Sequence, residues 1–307
     1  ETKCNSYLTE VRDIENNLTG KDRDYGTFQY FGNRDYKNFD YRDVELENMP
    51  NQYFKNHFFR HYVLKSLKEY NYAIAELQCV MKVKDNDPRF IYNLAHTYTE
   101  AGNVTRAIDI IEEITEKFGD KFNLSAMPRK LKTLLYPQYY SDLVTYNAYQ
   151  NKVDPYLIFA IIREESRFRT LAVSPAGAMG LMQIMPATGK WIAGKMPIAY
   201  FRAPDLFIPH INIKMGAWYF SYLTKKHNNN ILLSIASYNG GINNVGNWLN
   251  QFKTDDIDEF IEKIPFRETR HYVKKVMTSY NIYKQIYDNG YKMELTALAA
   301  DAIKISY

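Results

Sequence analysis

The order of apolar and polar positions along the 307-residue chain predicts helices and very little else. Residues 1–50 are polar, aromatic and irregular, as in Asn33-Arg-Asp-Tyr-Lys-Asn-Phe-Asp-Tyr-Arg-Asp43, and predict only short helices and loops. From about 51 to 135 a helical period sets in. Pro128 and Pro137 interrupt it, and Tyr136-Pro-Gln-Tyr-Tyr140 reads as a junction between two domains, 1–135 and 136–307. Asp154-Pro155 is a strong helix start, with Asp as the N-cap and Pro in the first helical position. Further helices are expected around 179–194, 210–228, 231–238, 242–250, 255–263 and 268–288. Strand-like alternation is absent, so the fold class is all-α.

Within the first domain Ala73-Ile74 recurs as Ala107-Ile108. Leu94, Ala95, Tyr98, Gly102 and Ala107 resemble the tetratricopeptide pattern, in which small residues let the two helices of a hairpin approach closely. Gly102-Asn103 falls where that hairpin must turn. The expectation is a helical-hairpin, tetratricopeptide-like or superhelical region, too short in repeats to close a continuous core by itself.

On the helix opened by Pro155, a spacing of about 100° per residue gathers Leu157, Ile158, Ile161, Ile162 and Phe168 on one side. Glu165 falls near the centre of that stripe and Glu164 near its edge. A carboxyl among aliphatic side chains loses hydration, its charged form is disfavoured, and it can stay protonated near neutral pH as a general acid. On this helix alone the structural reading has the stronger claim: a helix-end glutamate paired with Arg163, Arg167 or Arg169. The next segment, Val173-Ser-Pro-Ala-Gly-Ala-Met-Gly-Leu-Met-Gln-Ile-Met-Pro-Ala-Thr188, shifts the balance. Its small residues allow a loop to run close to Glu165, from which Ser174 and Gln183 could hydrogen-bond the carboxyl or a sugar substituent. Met182 and Met185 would give a soft apolar wall.

Four blocks in order then carry a family resemblance: Glu165-Ser166, Gly180-Leu-Met-Gln183, Ser237-Tyr-Asn-Gly-Gly241 and Glu268-Thr-Arg-His-Tyr-Val273. Pro209-His-Ile-Asn-Ile213 with Gly216 fits the helix ahead of the third block. Over roughly 136–290 the chain resembles the soluble lytic transglycosylases, whose catalytic domain is goose-lysozyme-like and acts on peptidoglycan. The resemblance implies Glu165 as the one catalytic acid, which then serves as base. Ser174, Gln183, Met185, Tyr238, Asn239, Glu268 and Tyr272 are implied as substrate-binding or supporting residues. It further implies cleavage of the MurNAc–GlcNAc β-1,4 bond with 1,6-anhydromuramyl products, and a location in the periplasm. Tyr238 would bond the acid or the substrate, and Glu268 would buttress the groove. Two departures stand out: Ser237 just before the tyrosine, and Ile242-Asn-Asn244 after the glycines. Glu164 also occupies a position usually neutral in the family.

Composition agrees and excludes. Net charge is +4, from 39 basic and 35 acidic residues without long blocks, which argues against nucleic acid as a partner. The six histidines and two cysteines include no metal-binding spacing, and no cofactor or metal is expected. Cys4 and Cys79 could pair or remain thiols. No apolar run spans a membrane. The chain opens on Glu1, so an export signal is expected outside it. Most of the 27 tyrosines are expected to pack, their polar tips reaching water or a partner. Peptidoglycan glycan strands are the expected partner, with other cell-wall proteins through the helical-repeat region. Two alternatives stay open: a lysozyme-like muramidase giving reducing ends, and a non-catalytic wall-binding scaffold.

Overall fold

The structure is a computed structural model that describes residues 52–82, 88–118, 127, 129–198, 200–254 and 256–288. Those residues are all-α, with thirteen α-helices and a single 3-10 turn. The irregular 1–50 segment and Cys4 lie outside the described residues, and Cys79 is a thiol among them. The chain divides after Leu135 into two compact units.

The first unit contains α1 (Gln52–Ser66), α2 (Tyr70–Met81), α3 (Pro88–Glu100), α4 (Val104–Phe118) and α5 (Arg129–Leu135). α1 pairs with α2 and α3 with α4. The repeated alanines explain the close pairing: Ala73 and Ala107 are both fully buried. The Ala73 carbonyl is near enough to α1 to bond His61 Nδ1 at 3.0 Å. Burial pulls the pKa of that histidine down to about 4, so it sits in the hairpin as a neutral ring. The turn of the second hairpin is at Gly102, whose φ of 79° is open to glycine at no steric cost. Phe54, Phe58, Leu77, Val80, Phe90 and Leu94 form the core between these helices.

The second unit holds α6 (Ser141–Asn151), α7 (Pro155–Ser166), α8 (Pro186–Ala193), the 3-10 turn Ala203–Phe207, α9 (Pro209–Lys226), α10 (Ile231–Gly240), α11 (Ile242–Phe252), α12 (Ile257–Lys263) and α13 (Arg267–Tyr287). Asp154 caps α7 as its sequence requires, accepting from the Tyr156 amide at 2.8 Å, with Pro155 in the first turn. Its other oxygen accepts the Tyr280 hydroxyl at 2.8 Å, which ties the start of α7 to α13. Tyr283 and Tyr287, further along α13, donate to the carbonyls of Pro137 and Tyr136. Here tyrosine works as a packing residue with a polar tip.

The apolar stripe expected on α7 is in fact a sleeve. Leu157, Ile158, Phe159, Ala160, Ile161 and Ile162 are all at most 1 % exposed, so the helix is covered on every side. Each large side chain so buried contributes about 2 kcal/mol. The helix expected over 179–194 is a second correction, because it begins only at Pro186. Residues 179–185 form turns instead. Gly180 and Gln183 take positive φ angles of 77° and 47°, and Met179 bridges to both Val173 and Ile184. A helix cannot run through two left-handed residues. The remaining helices of this unit begin and end within two or three residues of their expected limits.

Candidate active site

Glu165 lies in the last turn of α7, directly before Ser166, which back-bonds to the Ile162 carbonyl at 3.2 Å. The helix stops there because Arg167 and Phe168 turn left-handed, with φ of 49° and 63°. α13 packs along α7 and brings Tyr272 opposite the carboxyl. The Tyr272 hydroxyl donates to Glu165 Oε1 at 2.6 Å. Among the described residues no basic side chain pairs with Glu165. Burial pushes its pKa up to about 8; the Tyr272 bond opposes that rise, while the charges of Glu268 and Glu164 add to it. The result is a carboxyl that keeps its proton at neutral pH.

The ion pair considered for this helix end exists, but on the neighbouring residue. Arg163 Nη1 lies 2.6 Å from Glu164 Oε1, and the Ser279 hydroxyl donates to the same oxygen. The Arg163 guanidinium in turn rests 4.1 Å over the Tyr136 ring. Glu164 is therefore engaged on the α13 side, and Glu165 is left with a single neutral donor.

The loop from Ser174 to Met185 is held by its own hydrogen bonds. Ser174 Oγ accepts the Ala178 amide at 3.0 Å, and Gln183 Nε2 donates to the carbonyls of Ala172 and Gly180 at 3.2 and 2.8 Å. Neither side chain bonds Glu165, contrary to one of the two roles expected of them. Their polar atoms are spent on turning the backbone through the glycine-rich stretch. Met185 precedes α8 and is 40 % exposed. Met182 is fully buried instead, with its sulfur against the Cα of Gly216, where a Cβ would collide with it.

Asn212 fastens this loop to α9. It is fully buried, its Oδ1 accepts the Met182 amide at 2.7 Å, and its Nδ2 donates to the carbonyls of Met179 and Leu206 at 3.0 and 2.8 Å. Gly180 is a glycine because a Cβ there would strike Asn212 and the Leu206 carbonyl. Asn212 stands in the family-like block Pro209-His-Ile-Asn-Ile213, to which no role for this side chain attaches by sequence. An asparagine inside the apolar face of a helix was the available signal.

Tyr238, on α10, donates to the Met182 carbonyl at 2.8 Å rather than to Glu165. It still lies close enough for the Glu165 charge, after burial, to raise its pKa well above the ordinary value. Of the two bonds expected of Tyr238, the one to the acid is made by Tyr272. Asn239 bridges α10 to α13: its Oδ1 accepts the Thr269 hydroxyl at 2.7 Å, and its Nδ2 faces Glu268 Oε1 at 3.5 Å. Glu268 is exposed, in the first turn of α13, where a carboxylate is favoured by the helix dipole. The altered stretch after Tyr238 forms no long loop. Gly241, at φ 86°, is the sole residue between α10 and α11, and Ile242-Asn-Asn244 are the first turn of α11.

The arrangement offers a proton donor in an apolar setting, a hydroxyl able to stabilise the resulting carboxylate, and a fixed loop beside them. Among the described residues no group of three or more His, Cys, Asp or Glu is placed to hold a metal ion. No helix among them is long and apolar enough to cross a membrane.

Residues 142–261 match the family described as the transglycosylase SLT domain. A putative soluble lytic murein transglycosylase of Haemophilus influenzae is 38% identical over 158 residues, which is 51% of this chain and 26% of that protein. The soluble lytic murein transglycosylase of Escherichia coli K12 is 37% identical over 150 residues, 48% of this chain and 23% of its own. The chain thus spans about a quarter of the length of these relatives. Among solved structures, the 70 kDa soluble lytic transglycosylase of Escherichia coli superposes with a TM-score of 0.59 at 26% identity, covering 78% of this chain and 37% of that one. A lytic transglycosylase of Pseudomonas aeruginosa, crystallised as an inactive glutamate-to-glutamine mutant, gives 0.58 at 27% identity, covering 78% and 38%.

Proposed function

From the match of residues 142–261 to the transglycosylase SLT domain and the likeness to soluble lytic transglycosylases, we propose that the second unit cleaves peptidoglycan at the MurNAc–GlcNAc β-1,4 bond and leaves 1,6-anhydromuramyl ends. The observation that carries this is the Glu165 carboxyl, kept protonated by burial and touched by one neutral donor, Tyr272. In the reaction, Glu165 gives its proton to the glycosidic oxygen and the bond to the muramyl C1 breaks. The muramyl N-acetyl group assists from the opposite face. The carboxylate so formed accepts the Tyr272 hydrogen bond, then takes the proton of the muramyl 6-hydroxyl as that oxygen closes on C1. The proton lost in the first half returns in the second, so no cofactor is consumed.

A hydrolase of the usual kind needs a second carboxyl facing the first across the bond. Glu164 is engaged by Arg163 and Ser279, and Glu268 is an exposed helix-start residue beside Asn239. This favours the intramolecular route over the muramidase alternative. Around the acid, Met185 is assigned to the substrate wall, while Ser174, Gln183, Tyr238, Asn239 and Glu268 support the cleft. The substrate places the activity in the periplasm, and the helical-hairpin unit is the natural site for other cell-wall proteins. The test is Glu165→Gln on purified sacculi, with mass analysis of the released ends. The expected result is loss of lysis by a factor of about a thousand or more, within the range of a general acid combined with the base role. Wild-type ends should be one water lighter than reducing ends. Undiminished lysis by the variant, or reducing ends from the wild type, overturns the proposal.

A further inference from the structure

One face of α9 and the outer side of α8 carry a strip of aromatic rings that the reaction at Glu165 does not use. Trp218, Tyr219 and Tyr222 stand three and four residues apart on α9, so they share a face of the helix. Their rings are nearly parallel: Trp218 and Tyr222 at 11° and 5.8 Å between centroids, Tyr219 and Tyr222 at 12° and 6.4 Å. Trp191, from α8, meets all three at 5.1 to 6.1 Å. Lys226 closes the far end, with its ammonium 5.6 Å from the Tyr222 ring centre. At the near end the Tyr219 ring lies 5.6 Å from that of Tyr238, the residue that holds the Met182 carbonyl and feels the Glu165 charge.

Packing of α8 on α9 accounts for part of this cluster but not for its exposure. The buried face of α8 is made by Gly189, Ile192 and Ala193, and Trp191 remains 40 % exposed. Trp218, Tyr219 and Tyr222 are only half-buried. Large rings left open in a contiguous row mark a contact surface more often than a structural one. The strip also begins at the candidate cleft, which decides between occupants. Aromatic faces with hydroxyl and indole N–H groups at their edges suit a pyranose, which has an apolar C–H face and a polar rim.

We propose that Trp191, Trp218 and Tyr222 form an additional glycan-binding strip, which stacks β-1,4-linked N-acetylhexosamine units of a strand running on from the cleft. This rests on the reading of the second unit as glycan-cleaving. Its effect is on hold rather than on chemistry: a long strand gains contacts beyond the bond being cut, and a short fragment does not. Trp191 is the residue that decides it, being the most exposed ring and the one in contact with all the others.

The test uses the full chain carrying Glu165→Gln, so that ligands are not turned over, and N-acetylglucosamine oligosaccharides from the disaccharide to the hexasaccharide. Adding Trp191→Ala should weaken hexasaccharide binding about tenfold and leave the disaccharide unchanged, whereas Trp191→Phe should retain most of the hexasaccharide affinity. With Glu165 intact, Trp191→Ala should raise KM on sacculi by more than it lowers kcat. Equal loss at every length, no loss at any, or an equal deficit in the phenylalanine variant overturns the strip. Should the alanine variant not fold, indole emission of the chain with native Trp191 must shift with the hexasaccharide and not with the disaccharide; an unmoved spectrum overturns it equally. Because these are binding measurements, they stand apart from the reaction. Length-dependent binding together with undiminished lysis by Glu165→Gln would refute the catalytic assignment alone, and a length-independent result beside anhydro ends would refute the strip alone.

Discussion

The Tyr272 hydroxyl and the Glu165 carboxyl are separated by 107 residues in sequence and by 2.6 Å in space. The bond is the one direct polar contact of the carboxyl among the described residues, and it favours the charged form that burial disfavours. The acid is thus balanced: poorly solvated enough to hold a proton, and supported enough to release it.

Tyr272→Phe removes that support. The alkaline limb of the pH–rate profile should move to higher pH, because the neutral acid gains further, and turnover should drop about tenfold for the loss of a hydrogen bond to a charged group. Turbidity loss of sacculi across pH measures both. A limb that stays in place, or one that moves down, contradicts the role given to Tyr272.

Glu164→Gln should move the same limb the other way. The Glu164 charge adds to the rise in the Glu165 pKa, and a carboxamide keeps the shape and can still accept from Arg163 and Ser279. The profile of this variant should therefore end at lower pH with its maximum rate little changed. Opposite displacements in the two variants would separate electrostatic tuning from general damage to the site.

Protonation of Glu165 also links stability to pH. Its pKa rises from 4.5 to about 8 in the folded chain, so the folded state holds the proton more tightly than the unfolded state does. The contribution to stability is complete below pH 4.5 and is lost as pH rises through 8. Glu165→Gln stays neutral throughout. Calorimetry should find the variant and the parent melting alike near pH 4 and the variant melting several degrees higher at pH 9. Parallel curves at all pH values would mean that the carboxyl is not buried in the folded state as described.

Asn212→Leu should be the costliest change outside the apolar core. It leaves the Met182 amide and two carbonyls, of Met179 and Leu206, without their partner, at about 1–3 kcal/mol for each buried group that finds no water. Thermal unfolding gives the total, and hydrogen exchange at the Met182 amide locates it. Gly216→Ala should cost about 1–3 kcal/mol by forcing the Met182 side chain out of place. A silent Gly216→Ala would show that Met182 has other room.

What the sequence made legible was mostly local. Asp154-Pro155 starts α7 because cap and proline act within one turn, and the aliphatic run places Glu165 beneath cover without reference to the rest of the chain. The part that was not legible depended on which distant groups meet. Periodicity cannot distinguish Tyr238 from Tyr272 as the partner of the acid, since each is a tyrosine on an amphipathic helix and only the packing of α13 on α7 selects one. The same holds for Arg163, whose choice of Glu164 over Glu165 follows from its position against Tyr136. The helix over 179–185 failed for another reason: the apolar spacing there was compatible with helix, but the left-handed geometry at Gly180 and Gln183, fixed by Asn212 and by backbone carbonyls, was stronger than the period.

The peptide of Met182 is gripped from two helices, its amide by Asn212 of α9 and its carbonyl by Tyr238 of α10. A wall clamped in that way has already given up its conformational entropy when the domain folds, and the glycan proposed as substrate would find no loop left to order. In the proposed reaction, binding energy that a looser loop would spend on becoming structured would remain available for bending the sugar toward its transition state. A chain loosened at Asn212 should therefore bind its substrate more weakly even with every group that touches the sugar intact.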